Sequence, residues 1–211
     1  MSRLIVLGGG GHGRVVADTA RRSGHWEQIL FLDDAPDRPR AESDFAVLGT
    51  CNDLAQVLRP DDECIVAIGD NAQRRALLDQ LDAQSAPLAI VIDPSASVSA
   101  DARLGPGTVV LPQGAVNIGA ELGRGCIVNT GATVDHDCRL GECVHVAPGA
   151  HLGGDVTIGD LGWIGIGASV RHGMRIGARA MVGAGAAVVS DVSIGATVVG
   201  VPARPMGGSD A

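Results

Sequence analysis

Residues 122–158 read LGRGCIVNTGATVDHDCRLGECVHVAPGAHLGGDVTI, and this stretch decides the fold. An aliphatic residue stands at every sixth position of it, and the same spacing continues without a gap from Ile92 to Ile194. Aliphatic residues fill roughly a quarter of the positions in an average chain, so chance does not produce such a run. The spacing indicates a true six-residue repeat. Its aliphatic positions are Ile92, Val98, Leu104, Val110, Val116, Leu122, Val128, Val134, Leu140, Val146, Leu152, Ile158, Ile164, Val170, Ile176, Val182, Val188 and Ile194.

A second position of the repeat is also constrained. The residue four places after each aliphatic is small or slim almost throughout, and Met174 is the one large exception. One inward side chain in every six residues, with a small one near each corner, is typical of a three-sided coil of about eighteen residues. Like positions of successive coils then stack about 4.8 Å apart. The repeat therefore predicts a parallel β-helix.

Composition agrees with thin stacked coils and limits the possible partners. The 211 residues are 45% apolar and include 31 glycines, but only 2% are aromatic. The net charge is -8 and the chain has no lysine, so we expect no nucleic-acid partner, because phosphate binding needs a clustered basic face. Five cysteines form no CxxC pair, which favours reduced thiols over a disulfide framework. No run approaches the roughly 18 apolar residues of a membrane span or resembles a signal peptide, so we expect a cytoplasmic protein.

The N-terminal part has a different pattern, in which strands and helices alternate. Apolar runs predict strands at Arg3–Leu7, Ile29–Leu32 and Cys64–Ile68, with a polar loop through Pro36 and Pro39 after the second. Alternation of this kind over about 85 residues describes half of a doubly wound α/β sheet, whose ligand crevice lies at the carboxyl ends of the strands. We predict two domains with separate cores and a tail. They are a Rossmann-like domain at 1–87, a β-helix at 88–199 and a C-terminal tail at 200–211.

A glycine-rich turn follows the first predicted strand. Gly8, Gly10 and Gly13 satisfy G-x-G-x-x-G, and Asp33 ends the next strand. In dinucleotide-binding folds these features hold a pyrophosphate on backbone N–H groups and a ribose hydroxyl on the acid. A tight strand-to-helix turn alone would also explain the glycines. It would not explain His12, because the turn needs no imidazole, so we expect His12 to face a ligand.

Two polar residues follow the third predicted strand. Asp70 and Asn71 are expected at the same crevice edge, where they would suit a base or a sugar hydroxyl. Capping of the following helix explains Asp70 equally well.

The repeat itself carries a histidine next to an acid. His136 and Asp137 are adjacent, and a carboxylate can orient an imidazole and raise its basicity. One coil further on, Gly154 falls over His136, where its N–H could meet a developing oxyanion.

His145 and His151 each precede an inward aliphatic, so both are expected to face outward. Trp163 should lie over His145 in the next coil. Ordinary surface histidines are one alternative to catalysis, and zinc ligands are another. The ligand spacing of structural zinc is absent, so we expect no metal.

Taken together, the two halves resemble the sialic acid O-acetyltransferase and UDP-4-amino-sugar N-acetyltransferase family. The resemblance implies a nucleotide-sugar-binding domain joined to a left-handed β-helix, acetyl-CoA as co-substrate, and a homotrimer with each active site between neighbouring prisms. It rests on the glycine turn at 7–13, Phe31–Asp34, Ala67–Asn71 and the stretch Val128–Cys138.

The resemblance also implies roles for the residues that match the family's motifs. His136 would be the general base, Asp137 its acidic partner, and Asn129 a polar group that helps to orient it. The residues matching the acetyl-CoA site are His145, Gly154 and Ile166. Those matching the nucleotide-sugar site are Gly10, Gly11, His12, Asp33, Asp34 and Gly69.

The expected function is acetyl-CoA-dependent N-acetylation of a nucleotide-linked amino sugar, of the UDP-4-amino-4,6-dideoxy-sugar type, in surface glycan biosynthesis. Two alternatives stay open. One is O-acetylation of sialic acid, which keeps the chemistry and changes the acceptor. The other is a non-catalytic trimeric scaffold that binds nucleotide sugars, against which the His136–Asp137 pair beside Gly154 argues.

Overall fold

The chain folds as an α/β domain followed by a left-handed parallel β-helix, which confirms the predicted fold class. The structure is a computed structural model and describes residues 2–35 and 45–206. The predicted polar loop through Pro36 and Pro39, and the end of the predicted tail, lie outside these ranges.

The N-terminal sheet has four parallel strands in the order β3-β2-β1-β4. The third predicted strand begins two residues earlier than expected, at Asp62, and ends at Val66. The edge strand β3 was not predicted, because three residues are too few to show an alternating pattern. The elements are β1 (Arg3–Leu7), α1 (Gly11–Ser23), β2 (Gln28–Leu32), β3 (Val47–Gly49), a 3-10 turn (Cys51–Asp53), α2 (Leu54–Val57), β4 (Asp62–Val66) and α3 (Asn71–Ala83).

The β-helix has three flat faces, each a parallel sheet of strands that are two residues long, except for the three-residue β22. Face I contains β5 (Val91–Ile92), β8 (Val109–Val110), β11 (Ile127–Val128), β14 (His145–Val146), β17 (Trp163–Ile164), β20 (Met181–Val182) and β22 (Thr197–Val199). Face II contains β6 (Ser97–Val98), β9 (Ala115–Val116), β12 (Thr133–Val134), β15 (His151–Leu152), β18 (Ser169–Val170) and β21 (Ala187–Val188). Face III contains β7 (Arg103–Leu104), β10 (Glu121–Leu122), β13 (Arg139–Leu140), β16 (Thr157–Ile158) and β19 (Arg175–Ile176).

The repeat positions form the core of the prism, as the spacing predicts. Paired strands are eighteen residues apart, for example His145 with Trp163, and the aliphatic residue of each strand points inward from Val110 to Val188. The last aliphatic position is a correction. Ile194 is 74% exposed, and Val192 pairs with Ile176 in its place. The reason is a shortened final coil, in which Met181 pairs with Thr197, sixteen residues later.

The two parts do not have the separate cores that we expected. Strand residues of the N-terminal sheet such as Leu4 share one apolar cluster with Val109 and Ile127 of face I. A second cluster joins Leu78 of α3 to Cys143 of the coils. The α/β part therefore packs directly on face I. The domain boundary near residue 87 stays a prediction.

The described part of the tail folds back on the prism. Arg204–Pro205 forms β23, which pairs antiparallel with β22 and so extends face I.

None of the helices within residues 2–35 and 45–206 is both long enough and apolar enough to cross a membrane.

Candidate active site

His136 and Asp137 form a hydrogen-bonded pair at the corner between faces II and III. The corner joins β12 to β13. His136 Nδ1 lies 2.9 Å from Asp137 Oδ2, so a proton on Nδ1 leaves Nε2 as a base. The hydrogen bond to Asp137 raises the pKa of His136, and the charges of Asp135 and Asp155 add to this effect. The imidazole is exposed, so a substrate can approach Nε2.

The backbone of this corner has an anchor that the sequence reading missed. Asp135 Oδ1 accepts a hydrogen bond from His136 N at 2.8 Å and another from Asn117 Nδ2 at 2.7 Å. These bonds lower the pKa of Asp135, since both stabilise its charged form. Period arithmetic could have found the contact, because Asn117 and Asp135 are eighteen residues apart.

Gly154 lies against the imidazole, as the register predicts. A Cβ atom at this position would collide with His136 Nε2. The Gly154 N–H has no acceptor within the part of the chain that the structure describes. A backbone donor is therefore available beside the imidazole.

His145 is buried, although it faces away from the coil core as expected. Its ring lies 4.2 Å from that of Trp163, centroid to centroid, and the α/β part covers it on the other side. Nδ1 lies 3.4 Å from the Gly69 carbonyl. Burial, together with the nearby charge of Arg74, lowers the pKa of His145 to about 3. At neutral pH the ring is thus uncharged and acts through hydrogen bonds.

Asn129 differs from its expected position beside His136. Its Nδ2 lies 3.1 Å from His145 Nε2, because residue 129 follows β11 at the corner between faces I and II. His136 is at another corner of the prism. Within one chain, Asn129 therefore orients His145 and does not touch the His136–Asp137 pair.

A cavity of about 410 Å³ lies at the carboxyl ends of β1 and β2, where the crevice was expected. This nucleotide pocket, as we call it, is of the size of small-molecule sites. All six residues predicted to bind the nucleotide sugar line it, namely Gly10, Gly11, His12, Asp33, Asp34 and Gly69. Their role in binding stays a prediction.

The glycine turn has both a structural and an open part. A Cβ atom at Gly13 would collide with the Gly8 carbonyl, so Gly13 is needed for the turn itself. A Cβ atom at Gly11 would meet no protein atom within 4 Å. Burial, with the charge of Arg74, lowers the pKa of His12 to about 4, so this imidazole is also neutral.

The two acids after β2 are placed differently. Asp33 is buried, and its carboxylate accepts from Gly9 N at 3.1 Å and from Ala35 N at 3.0 Å. Asp34 is exposed, and its Oδ1 accepts from Cys51 N at 2.8 Å. Asp33 therefore fixes the glycine turn, and Asp34 presents a carboxylate to the pocket.

The polar residues after β4 serve the fold more than the crevice. Asp70 accepts a hydrogen bond from Gln73 N at 2.8 Å and so caps α3. Capping was the alternative to a ligand-binding role for this residue. Asn71 is buried, and its Nδ2 donates to the carbonyls of Leu161 and Gly162. The expectation that Asn71 faces the crevice was therefore wrong, because α3 docks this side chain on the coils.

The predicted coil residues fall into two groups on different sides of the prism. His136, Asp137 and Gly154 share the corner between faces II and III. His145 lies on face I, and Ile166 is 61% exposed at the corner between faces I and II. In a triangular prism the corner between faces II and III is opposite face I. One chain therefore does not bring the imidazole base next to its own nucleotide pocket.

The described residues contain no cluster of three or more His, Cys, Asp or Glu side chains that could hold a metal ion.

Comparisons with known proteins agree on one family. Residues 3–81 match the family described as the PglD N-terminal domain. A curated relative, UDP-N-acetylbacillosamine N-acetyltransferase of Bacillus subtilis (strain 168), is 32% identical over 113 residues. That match spans 53% of this chain and 52%, about half, of the relative's length.

Two solved structures resemble the whole chain. The acetyltransferase domain of PglB from Neisseria gonorrhoeae FA1090 is 43% identical, with a TM-score of 0.92, over 97% of this chain and 99% of that one. PerB from Caulobacter crescentus, solved in complex with CoA and GDP-perosamine, is 38% identical, with a TM-score of 0.90, over 97% of both chains. The PglB domain has also been solved with acetyl coenzyme A.

Proposed function

The chain belongs to the UDP-4-amino-sugar N-acetyltransferase family, a family of acetyl-CoA-dependent acetyltransferases, and on that premise we propose that it acetylates the amino group of a nucleotide-linked amino sugar. The acceptor class is the UDP-4-amino-4,6-dideoxy-sugar type, and the product serves surface glycan biosynthesis. The observation that carries the proposal is the His136–Asp137 pair beside the Gly154 N–H, which has no acceptor among the described residues, in a chain that also has a nucleotide pocket.

The chemistry is a direct transfer between two bound substrates. The sugar amine attacks the thioester carbonyl, and His136 Nε2 accepts the proton that the amine loses. Asp137 stabilises the imidazolium through Nδ1, and the Gly154 N–H donates to the oxyanion of the tetrahedral intermediate. Collapse of that intermediate breaks the carbon–sulfur bond, and the CoA thiolate leaves and takes up a proton. Rigid stacked coils suit such a reaction, because it depends on positioning.

We also propose that a second chain completes each site, in a homotrimer. The base lies at the corner opposite face I, whereas the nucleotide pocket and His145 lie on the face I side. Side-by-side packing of three prisms would bring the corner between faces II and III of one chain to the face I side of the next, where the nucleotide pocket lies. The thioester would then lie in a cleft shielded from water, where the oxyanion interaction is stronger.

We propose that the reaction takes place in the cytoplasm. All five cysteines are free thiols, which supports this location because disulfides are rare in reducing compartments.

Release of free CoA tests the proposed acceptor. The protein is incubated with acetyl-CoA and, in separate reactions, with UDP- and GDP-linked 4-amino sugars and with sialic acid. We expect thiol release with at least one nucleotide amino sugar and none with sialic acid. Release with sialic acid alone would favour the O-acetyltransferase. No release with any acceptor, while nucleotide sugars still bind, would favour the scaffold.

A further inference from the structure

Arg74 is a buried cation beside the nucleotide pocket for which the proposed chemistry has no use. Its side chain has no exposed surface, and among the described residues no carboxylate forms an ion pair with it. Burying an unpaired charge is costly unless every donor is satisfied. The five donors are satisfied by neutral oxygens: Nε by Gly125 O at 2.8 Å, Nη1 by Ile68 O at 2.9 Å and Gly69 O at 3.0 Å, and Nη2 by Asn71 Oδ1 at 2.7 Å and Cys143 O at 2.8 Å.

The two bonds from Nη1 fix successive peptide groups of the loop between β4 and α3. A trans peptide group is planar, and its N–H points away from its C=O. The N–H groups of Gly69 and Asp70 belong to the peptide groups whose carbonyls face Arg74, so both point away from the guanidinium. Neither N–H has an acceptor among residues 2–35 and 45–206. Gly69 also lines the nucleotide pocket, with open space where a Cβ atom would lie.

A cation that donates to a carbonyl polarises the whole peptide group and strengthens its N–H as a donor. Two successive N–H groups of this kind form a concavity that suits an anion. The described residues lining the pocket include no Lys or Arg, whereas Asp33 and Asp34 contribute carboxylates. The described lining therefore offers a diphosphate no cationic side chain, and Arg74 is a positive charge placed behind the lining, where it can offset the charge of the ligand.

We propose that Arg74 is a positioning residue for the diphosphate of the nucleotide sugar. It aims and polarises the N–H groups of Gly69 and Asp70, and its buried charge offsets that of the ligand. This inference rests on the proposed function, since it takes the ligand to be a nucleoside diphosphate sugar. Docking of α3 on the coils has other contacts, among them the ion pairs of Arg75 with Glu142 and Asp160.

Binding of UDP and GDP, compared with uridine and guanosine, tests the assignment. Arg74→Met keeps much of the side-chain volume and removes the charge, and Arg75→Met is the matched control at the same interface. Affinities are measured by calorimetry or, for the weaker nucleosides, by displacement of the bound diphosphate. We expect Arg74→Met to weaken diphosphate binding by about tenfold or more and to change nucleoside binding by less than about twofold. Arg75→Met should change neither.

Arg74→Met leaves four backbone carbonyls and the Asn71 amide oxygen without their donors, so this variant can fail to fold. A second pair of variants therefore leaves Arg74 in place. Asn71→Asp puts a carboxylate against Arg74 Nη2 and neutralises it. Asn71→Ala loses the same amide donors without adding charge. Diphosphate affinity should fall by about tenfold more in Asn71→Asp than in Asn71→Ala, with nucleoside affinity equal in the two.

The outcomes separate this inference from the proposed function. Equal losses for diphosphate and nucleoside, or no difference between the two Asn71 variants, would overturn the role of Arg74 and leave the proposed function standing. Failure of the wild-type protein to bind UDP, GDP or their amino sugars would overturn both.

Discussion

At the scale of single residues, the account depends most on the His136 imidazole. Nδ1 of the ring is hydrogen-bonded to Asp137, which leaves Nε2 to act as the base. His136→Ala should lower turnover by roughly two to four orders of magnitude, because the amine then has no base. Binding of the nucleotide sugar should be nearly unchanged, since His136 is not among the residues that line the nucleotide pocket. Steady-state kinetics and calorimetry measure the two effects, and full turnover in the variant would eliminate the mechanism.

The acid beside this histidine predicts a pH effect. Asp137 raises the pKa of His136 by stabilising the imidazolium. The base works only when neutral, so the rate rises with pH through that raised pKa. Asp137→Asn lowers the pKa, and the acid limb of the kcat profile should therefore move to lower pH, with a lower plateau because the base is weaker. An unshifted limb would mean that Asp137 does not set the basicity of His136.

Residue-level reading of the sequence had a clear limit. It predicted that Gly154 and His136 meet, because a strict period fixes which residues stack. It missed the hydrogen bond by which Asp135 holds the His136 backbone, and it predicted no role for Arg74. A buried Arg with five neutral acceptors has no signature in the sequence, since four of the acceptors are backbone carbonyls, and those of Gly125 and Cys143 come from distant parts of the chain.

At the scale of elements, the glycine turn between β1 and α1 allows a test in which fold and binding separate. Gly11→Val places a side chain in open space at the pocket, so it should weaken nucleotide-sugar binding by about tenfold or more without loss of thermal stability. Gly13→Ala is the contrast, because its Cβ meets the Gly8 carbonyl, and it should lower the melting temperature. Calorimetry and thermal unfolding give the two readouts.

The contrary result for Gly11→Val is retained affinity, which would make the turn purely structural. The choice of position matters here because the α/β part shares its apolar clusters with face I. A substitution that disturbed the turn would therefore also disturb the packing of the coils.

Elements with a long periodic signal were predictable, and the irregular ones were not. The core positions from Val110 to Val188 followed from the six-residue spacing. The shortened last coil did not, because Ile194 fits the sequence period and only the pairing of Met181 with Thr197 reveals the shift. Strand β3 was not predicted, because its three residues are too few to show an alternating pattern.

At the scale of the whole molecule, the two halves of the site lie on opposite sides of one prism. The base is at the corner between faces II and III, and the nucleotide pocket is above face I. Sequence spacing could assign residues to faces, but it could not show that the α/β part covers His145. The shared site is thus an inference from the shape of the molecule.

The central claim is that each cleft takes its base from one chain and its nucleotide pocket from another, and activity of mixed assemblies tests it most directly. His136→Ala and Gly11→Val proteins are unfolded, mixed in equal amounts, reassembled and assayed for CoA release at a nucleotide-sugar concentration too low to fill the Gly11→Val pocket. In random trimers about a quarter of the clefts would receive an intact base and an intact pocket, so about a quarter of wild-type activity should return. If both groups came from the same chain, no cleft would be intact. An inactive mixture of verified mixed trimers would contradict the account.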